Sequence, residues 1–273
     1  MRNIEGKVVA VTGAGAGIGQ ALALQLAAQG ACLALSDVNE DAARHTVSLC
    51  QAQGVEARGY RLDVADRAAV LAHAAEVADD FGRVNVLINN AGVALVGELT
   101  EVSWEQLDWI MGINVNGVLN GSKAFLPHLQ ASGEGHLVNM SSMWGLVGAP
   151  TGSHYCGSKF FVRGFTDSLR QEMKRGRYRV GVTVVHPGYV KTDLMQSGKS
   201  TSADSEVYNR TVDYVSKNVR LTADDVATKV ISGIRHNRAR VLIGPDARVS
   251  DAVARVAGSG YQHFTLLAAK KFG

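Results

Sequence analysis

The sequence predicts an α/β fold: a single doubly wound domain with a mostly parallel, seven-stranded sheet and helices on both faces. Three observations support this prediction. Short apolar segments alternate with helical segments along most of the chain. The links between them are short, which favours parallel strands joined by right-handed crossovers. Polar residues or glycines follow several strands where each strand ends, and ligands bind at that edge of such sheets.

Seven segments are predicted as strands, with helices between them. The strands are residues 8–11, 31–37, 55–62, 84–88, 135–141, 180–186 and 240–243. The helices are about residues 18–28, 40–53, 67–81, 103–129, 155–174 and 222–236. Because no linker or repeat divides the chain, residues 1–273 are interpreted as one domain.

A glycine-rich loop follows the first strand. Gly13 can adopt a positive φ and turn the chain, Gly17 lets backbone approach a bound group, and Gly19 lets the helix pack closely on the strand. The helix that begins near Ile18 presents free N–H groups and its positive dipole end, which suit a pyrophosphate. The loop contains no Lys followed by Ser or Thr, so the nucleoside-triphosphate P-loop does not fit. A glycine-rich turn without a ligand is the alternative.

The second strand strengthens the case for a dinucleotide site. It ends in Asp37, and an acid about 20 residues beyond such a loop is where the adenosine ribose hydroxyls are bound. Gly13, Asp37, Asp63 and Asn89 all fall at predicted strand ends. They are therefore expected to share the ligand-binding edge of the sheet.

Composition excludes several functional classes. Apolar residues make up 46% of the 273 residues and charged residues 19%, which is typical of a globular protein with a sizeable core. The net charge is +3 and no basic run occurs, so no nucleic-acid partner is expected. No apolar stretch approaches the length of a membrane span, and no cluster has metal-ligand spacing.

The N-terminus and the cysteines favour a cytoplasmic protein. The first strand begins almost directly after Met1, which leaves no room for a signal peptide. Cys32, Cys50 and Cys156 form no CxxC pair and are interpreted as reduced thiols. Cys156, like His154 and His186, is interpreted as structural, although His154 lies beside a candidate catalytic residue.

Two regions conflict with the regular pattern. The segment Gly112-Ile-Asn-Val-Asn-Gly117 lies inside a predicted helix, where each Gly costs about 1 kcal/mol relative to Ala. Such a conflict marks a functional or kinked site. Residues 193–219 are polar and irregular, and they are interpreted either as a lid or as an ordinary surface loop.

At this point a family resemblance is apparent over about residues 5–245. The motifs are Thr12-Gly-Ala-Gly-Ala-Gly-Ile-Gly19, Asn89-Asn-Ala-Gly92, Asn114, Ser142, Tyr155-Cys-Gly-Ser-Lys159 and Pro187-Gly188. This ordered set resembles the short-chain dehydrogenase/reductase family, whose members have a Rossmann-like fold. The glycine loop alone is weak evidence, whereas the whole set at this spacing is specific.

The resemblance implies a catalytic set of Asn114, Ser142, Tyr155 and Lys159. Tyr155 and Lys159 are four residues apart and share one helix face. An adjacent ammonium can lower a tyrosine pKa by roughly one to three units, which would make Tyr155 a general acid/base. Ser142 is implied to bind the substrate oxygen, with Ser141 as its competitor. The backbone of Asn114 is implied to hold a water leading to Lys159; a simple helix kink is the alternative.

The expected cofactor is NAD rather than NADP. The carboxylate of Asp37 suits the two ribose hydroxyls of NAD and repels a 2′-phosphate. No Arg or Lys occurs at residues 14–16 or 38–39 to offset that repulsion.

The resemblance also implies the individual cofactor contacts. Asp63 and Val64 flank the adenine, Asn89 lies by the adenosine ribose, and Val190 and Thr192 contact the carboxamide. Lys159 is also implied to bind the nicotinamide ribose. The full expected set is Gly13, Gly15, Gly17, Ile18, Gly19, Asp37, Asp63, Val64, Asn89, Ala91, Gly92, Tyr155, Lys159, Pro187, Gly188, Val190 and Thr192.

The implied activity is NAD(H)-dependent interconversion of a secondary alcohol and a ketone. The segments expected at the pocket, residues 93–96, 143–147, 189 and 194–195, are largely apolar, which favours a lipophilic or medium-sized substrate. Three alternatives stay open: a dinucleotide-binding sensor or scaffold without turnover, a polyol or diketone reductase, and a reductase of carrier-bound acyl groups. Asp37 argues against the last, which would use NADPH.

The C-terminal extension, about residues 246–273, departs from the family pattern. An amphipathic helix could be formed by Phe264, Leu267, Ala268 and Lys270-Lys271, and it could cap the pocket, pack on a neighbouring subunit or touch a membrane surface. The family also implies a homodimer or homotetramer. The apolar residues Phe160 and Phe161, with Val162 and Phe165, are consistent with a subunit interface.

Overall fold

A parallel sheet forms the centre of the computed structural model, which describes residues 1–191, 199–201 and 205–269. Its strands are β1 (Val8–Thr12), β2 (Cys32–Asp37), β3 (Ala57–Arg61), β4 (Val86–Asn89), β5 (Gly135–Met140), β6 (Val180–Pro187) and β7 (Arg240–Ile243). Their spatial order is β3-β2-β1-β4-β5-β6-β7. Every neighbouring pair is parallel, which confirms the predicted doubly wound, Rossmann-like sheet.

Helices connect the strands at nearly the predicted positions. They are α1 (Gly17–Ala27), α2 (Glu40–Gln51), α3 (Arg67–Phe81), α4 (Trp104–Met111), α5 (Val118–Ala131), α6 (Ser153–Arg175), α7 (Ser205–Asn218), α8 (Ala223–Arg235), α9 (Pro245–Ala257) and α10 (Tyr261–Ala269). Gly82 ends α3 with a φ of 71°, a left-handed conformation that glycine adopts readily at the end of a helix.

The predicted long helix at residues 103–129 is interrupted. Ser103 caps α4 through a capping box with Gln106, and a π-helical turn, Gly112–Gly117, then separates α4 from α5. Gly117 packs against Val64, whose Cγ2 would lie 2.7 Å from an added Cβ. The conflict in the sequence therefore marks a real change of helix geometry.

Each face of the sheet carries its own apolar layer. Alternate residues of a strand point to opposite faces, so Val9 and Val11 pack on one side and Ala10 on the other. Helices α1, α2 and α8 cover the first face, and α3, α5 and α6 cover the second. Burial on both faces explains why the strands are almost continuously apolar.

The C-terminal part of the chain lies beyond β7 and is helical in α9 and α10. Residues 193–198 and 202–204 of the proposed lid lie outside the described residues. Its described part includes α7 and the short strand Lys199–Ser200, which pairs with Leu95–Val96. In the portion of the chain that the structure describes, no helix is long and apolar enough to cross a membrane.

Candidate active site

The glycine loop is packed too tightly for side chains. Gly13 has a φ of 64° and Gly17 a φ of 54°, both in the region that favours glycine. A Cβ on Gly19 would overlap the carbonyl oxygen of Gly13. Ala16 precedes α1, and no side chain among the described residues caps this helix, whereas Asn39 caps α2. The first N–H groups of α1 are thus left for an external acceptor.

Asn90, which the sequence reasoning missed, holds this loop in place. Its Nδ2 donates to the carbonyl oxygens of Thr12 and Gly13 at 3.0 Å each. The side chain of Asn89 points into the interior instead, where Nδ2 donates to Asn139 Oδ1 at 2.8 Å and to Ser122 Oγ at 3.1 Å. Successive strand residues point to opposite faces, and this alternation was the available signal. The expected contact between Asn89 and the adenosine ribose stays a prediction. The side chain of Asn89 is already engaged with Asn139 and Ser122 in the interior.

The acids at the strand ends bind nearby backbone groups. Asp37 Oδ2 accepts from the amide of Gly15 at 2.9 Å, which joins the end of β2 to the glycine loop. Asp63 Oδ1 accepts from the amide of Ala65 at 2.9 Å. Arg61 pairs in register with Asp37 on the neighbouring strand, a proximity that the sequence reasoning did not consider.

Tyr155 and Lys159 meet Ser142 at the opposite side of the crevice. Lys159 Nζ lies 5.8 Å from the Tyr155 ring centroid and donates to the carbonyl of Met140 at 3.3 Å. The hydroxyl of Ser142 hydrogen-bonds to that of Tyr155 and favours its ionised form. Ser141 Oγ donates to the Lys159 carbonyl at 2.9 Å. Ser142 is therefore the serine that faces Tyr155.

Asn114 is buried in the π-helical turn beside this group. Its side chain accepts from the amide of Val93 at 2.9 Å and donates to the Val93 carbonyl at 3.0 Å and to Ser158 Oγ at 3.2 Å. A Cβ on Gly92 would lie 3.2 Å from Lys159 Nζ and 3.3 Å from Asn114 Oδ1. The side chain of Asn114 thus ties the segment after β4 to α6, and the implied role of its backbone stays a prediction.

Burial reverses the expected pKa change of Tyr155. We expected the Lys159 ammonium to lower the tyrosine pKa, but burial raises the pKa of Tyr155 to about 12, against the opposing hydrogen bond from Ser142. Burial also lowers the pKa of Lys159 to about 8. The expectation was wrong because it considered only the neighbouring charge and omitted desolvation, which disfavours both charged forms.

The segment after β6 is fixed by a residue of the C-terminal extension. Asp246 Oδ2 accepts from the amide of Tyr189 at 2.7 Å, and its Oδ1 accepts from the amide of Ala247 at 3.0 Å. A Cβ on Gly188 would overlap the Asp246 carboxylate. The sequence reasoning did not single out Asp246, because its partner is 57 residues away in the chain.

A cavity of about 850 Å³ opens between these groups. Residues from the glycine-loop side, the catalytic group and the segment after β6 all line it; these are Ile18, Asn90, Ser142, Tyr155, Lys159, Pro187, Gly188, Tyr189 and Val190. Leu95, Val96, Met143, Trp144 and Val147 add apolar surface, as the sequence predicted. Thr192, Leu194 and Met195, which were also expected near the site, lie outside the described residues.

The C-terminal helices close one side of the cavity. Val249 and Val253 of α9 and Tyr261 and Thr265 of α10 line it. The hydroxyl of Tyr261 accepts from the amide of Gly148 at 3.1 Å. The C-terminal extension therefore contributes residues to the wall of the pocket, as the capping alternative predicted.

Comparison with known proteins identifies the family. A family model described as short chain dehydrogenase matches residues 7–203. The chain belongs to the short-chain dehydrogenase family. SadH of Mycobacterium tuberculosis, named as an oxidoreductase, is 45% identical over 273 residues, which are 100% of this chain and 98% of that protein.

Two further relatives show similarity at the level of sequence and of fold. Epidermal retinol dehydrogenase 2 of Mus musculus is 36% identical over 197 residues, covering 71% of this chain and 64% of that protein. A short-chain dehydrogenase/reductase from Burkholderia phymatum, crystallised in complex with NAD, superposes with a TM-score of 0.89 at 31% identity. That match covers 96% of this chain and 97% of the other.

Three further polar residues of this short-chain dehydrogenase have the structural surroundings that the sequence predicted. His154 hydrogen-bonds through Nε2 to the Leu95 carbonyl at 2.8 Å, and His186 through Nδ1 to the Ser142 carbonyl at 2.8 Å. Burial raises the pKa of the Cys156 thiol, so the thiolate needed for a nucleophile is disfavoured.

Proposed function

We propose that this oxidoreductase of the short-chain dehydrogenase family interconverts a secondary alcohol and a ketone, with NAD(H) as cofactor. The observation that carries the proposal is the contact between the hydroxyls of Tyr155 and Ser142 at the wall of an apolar cavity, with Lys159 beside the tyrosine ring. A proton donor, an orienting hydroxyl and a buried cation together match the needs of carbonyl reduction.

The residues opposite Tyr155 fit a dinucleotide. Gly13, Gly15 and Gly19 have no room for a Cβ, and the first amides of α1 lack a capping side chain among the described residues. Both features suit a pyrophosphate. Asp37 is held against Gly15, where its carboxylate suits ribose hydroxyls and disfavours a 2′-phosphate. The NAD-bound relative from Burkholderia phymatum supports the same cofactor for this chain.

The protein's own residues handle the proton. With a pKa of about 12, Tyr155 is protonated at neutral pH and can donate its hydroxyl proton to a ketone oxygen. Ser142 orients that oxygen, and the Lys159 ammonium stabilises the phenolate that remains. The bound nicotinamide supplies or accepts the hydride. Alcohol oxidation requires the opposite proton transfer, so it is expected to gain from alkaline pH.

The cavity favours a lipophilic or medium-sized substrate. Its walls carry aliphatic and aromatic side chains from Leu95, Trp144, Val147, Val249 and Val253. Apolar walls bind a hydrocarbon skeleton better than a polyol, whose hydroxyls would lose their hydration. The naming of one relative for retinol, a lipophilic alcohol, is consistent with this class.

The same fold supports association of two or four copies. Phe160 and Phe161 of α6 are 39% and 36% exposed, and Phe161 stacks on Phe165 at 5.7 Å. Val162 is fully buried in its own subunit and belongs to no interface. We propose that the exposed rings lie at a homodimer or homotetramer interface. Sedimentation at micromolar concentration as a monomer would contradict this.

The activity test follows NADH absorbance with a panel of aryl ketones, steroid ketones, small diketones and polyols. We expect turnover of hydrophobic ketones well ahead of polyols. Replacing Tyr155 by Phe removes the proton donor and is expected to lower kcat by roughly 10²- to 10⁴-fold while NADH still binds. NADH binding without turnover of any compound would favour a dinucleotide-binding sensor instead.

A further inference from the structure

A second tyrosine lies at the catalytic wall of the cavity. The ring of Tyr189 packs edge-to-face against Trp144, with centroids 6.3 Å apart, and against Tyr214, with centroids 6.5 Å apart. All three residues line the cavity together with Tyr155. Aromatic neighbours on two sides restrict the motion of the Tyr189 ring.

The backbone of Tyr189 is also held in place. Its amide donates to Asp246 Oδ2 at 2.7 Å, and Asp246 in turn accepts from the first turn of α9. The position of Tyr189 is thus fixed by the main chain and by two rings. A side chain fixed in this way can recognise a ligand with little loss of conformational freedom.

The hydroxyl of Tyr189 has no hydrogen-bond partner among the described residues, although the residue is only partly exposed. Three other polar groups at the described cavity wall already take part in hydrogen bonds. Ser141 donates to the Lys159 carbonyl, Asp246 binds the Tyr189 amide, and Tyr261 accepts from Gly148. An unengaged hydroxyl in a mostly apolar cavity specifies where a ligand should carry a polar atom.

The chemistry of this hydroxyl favours an oxygen acceptor. Burial raises the pKa of Tyr189 to about 12, so the group stays a protonated donor at any ordinary working pH. Tyr189 and Tyr155 line the same cavity, so one bound molecule can contact both residues. A substrate oxygen bound by Tyr155 would therefore leave Tyr189 close to a neighbouring part of the same molecule.

We propose that the Tyr189 hydroxyl donates a hydrogen bond to a second oxygen of the substrate. The substrate class is then a lipophilic ketone or secondary alcohol that carries an additional acceptor oxygen, such as an ether or a second carbonyl. This inference rests on the proposed function and narrows it. Tyr189 acts as a specificity-determining residue, and Tyr155 keeps its role in proton transfer.

The test uses octan-2-one and its isosteres in which one chain methylene is replaced by an ether oxygen, at each position in turn. The kcat/KM of each compound is measured with NADH for the wild type and for Tyr189→Phe. For each enzyme, the readout is the kcat/KM for an ether divided by the kcat/KM for octan-2-one. Comparing this ratio between the two enzymes cancels the difference in intrinsic reactivity between the two compounds. Tyr178→Phe, which removes a hydroxyl from an exposed ring outside the cavity, is the matched control.

We expect the wild type to prefer at least one ether, and Tyr189→Phe to reduce that preference by about 3- to 10-fold, the effect of losing one neutral hydrogen bond. The Tyr178→Phe enzyme should keep the wild-type ratio. Equal ratios in the wild type and Tyr189→Phe would overturn the inference while leaving ketone reduction established. A weaker affinity for NADH with unchanged ether ratios would also overturn it, because Tyr189 would then serve the cofactor. Absence of any ketone turnover in the wild type would instead reject the proposed function.

Discussion

The two sides of the cavity are built in different ways. The cofactor side consists of backbone: Gly13 and Gly19 pack without room for a Cβ, and Asn90 binds the loop carbonyls. The substrate side consists of side chains from segments far apart in the chain, such as Val147, Val253 and Tyr261. Backbone packing tolerates one residue type, whereas an apolar wall tolerates many. The cofactor side therefore sets the chemistry, and the substrate side sets the range of compounds.

The largest effect is expected on the cofactor side. In Gly19→Ala, the new Cβ would overlap the Gly13 carbonyl, and backbone cannot move aside as a flexible side chain can. We expect a loss of about 4 kcal/mol or more, seen as lost NADH binding or as unfolding. Fluorescence titration with NADH and thermal denaturation measure the two outcomes.

The matched control for this variant is Gly164→Ala in α6. An added Cβ there meets nothing within 4 Å. Because alanine favours a helix over glycine by about 1 kcal/mol, this control should be slightly stabilised and should bind NADH normally. Normal NADH binding by Gly19→Ala would contradict the account of the loop.

Lys159→Met tests how much the burial of the Lys159 ammonium lowers the free energy of unfolding. The pKa of Lys159 is about 8 in the folded protein and 10.5 ordinarily, so the unfolded chain binds more protons between these pH values. The contribution of Lys159 to wild-type stability should therefore become more favourable as the pH rises from 8 to 10.5. Removing the ammonium should stabilise the protein at pH 7 by roughly 2 kcal/mol, after subtraction of the lost hydrogen bond to Met140.

Urea denaturation at neutral and alkaline pH measures this effect. The stability advantage of Lys159→Met over the wild type should shrink as the pH rises from 8 to 10.5, and the variant should also lose activity. Lys174→Met, which replaces an exposed lysine on the same helix, should retain the wild-type pH dependence. A less stable Lys159→Met protein at pH 7 would show that the lysine is not a net cost to folding.

Asp37→Ser probes cofactor choice. The change removes the carboxylate next to Gly15, and Arg61 on the adjacent strand then lies near the site without an opposing charge at residue 37. We expect NADH affinity to fall by about 10- to 100-fold and the discrimination against NADPH to shrink. Comparable NADH and NADPH dissociation constants in the wild type would refute the predicted preference.

Tyr261→Phe should have the smallest effect, confined to the substrate side. It removes the acceptor for the Gly148 amide and loosens α10 against the segment after β5. We expect KM for a hydrophobic ketone to rise by about 2- to 10-fold, with the NADH dissociation constant unchanged. A change in NADH affinity would show that the two sides of the cavity are coupled.

The sequence predicted the sheet, and it indicated the candidate residues Tyr155 and Lys159, because local patterns encode both features. Strand alternation, the Gly13–Gly19 loop, the i to i+4 spacing of Tyr155 and Lys159, and the helical conflict at residues 112–117 all need only neighbouring residues. Ile18 of the loop, Tyr155 and Lys159 line one cavity, and Asn114 of the 112–117 segment hydrogen-bonds to Ser158 on their helix.

The missed features depend on distant contacts or on burial. Asp246 reaches Tyr189 across 57 positions, and the raised pKa of Tyr155 comes from desolvation that no local pattern reports. Strand geometry points the Asn89 side chain into the interior and the Asn90 side chain toward the glycine loop. Motif matching alone favoured Asn89 as the residue at the cofactor. Pattern reasoning therefore predicted the groups that we propose to react and missed the groups that hold them.

The most direct test of the central claim is isotope transfer from NADH deuterated at the transferable nicotinamide position to a hydrophobic ketone, read by mass spectrometry of the alcohol. We predict that the wild type yields alcohol with deuterium on the carbinol carbon. Tyr155→Phe should bind NADH with unchanged affinity and form almost no labelled alcohol. Wild-type protein that binds the labelled NADH but produces no labelled alcohol from any ketone of the panel would contradict the account.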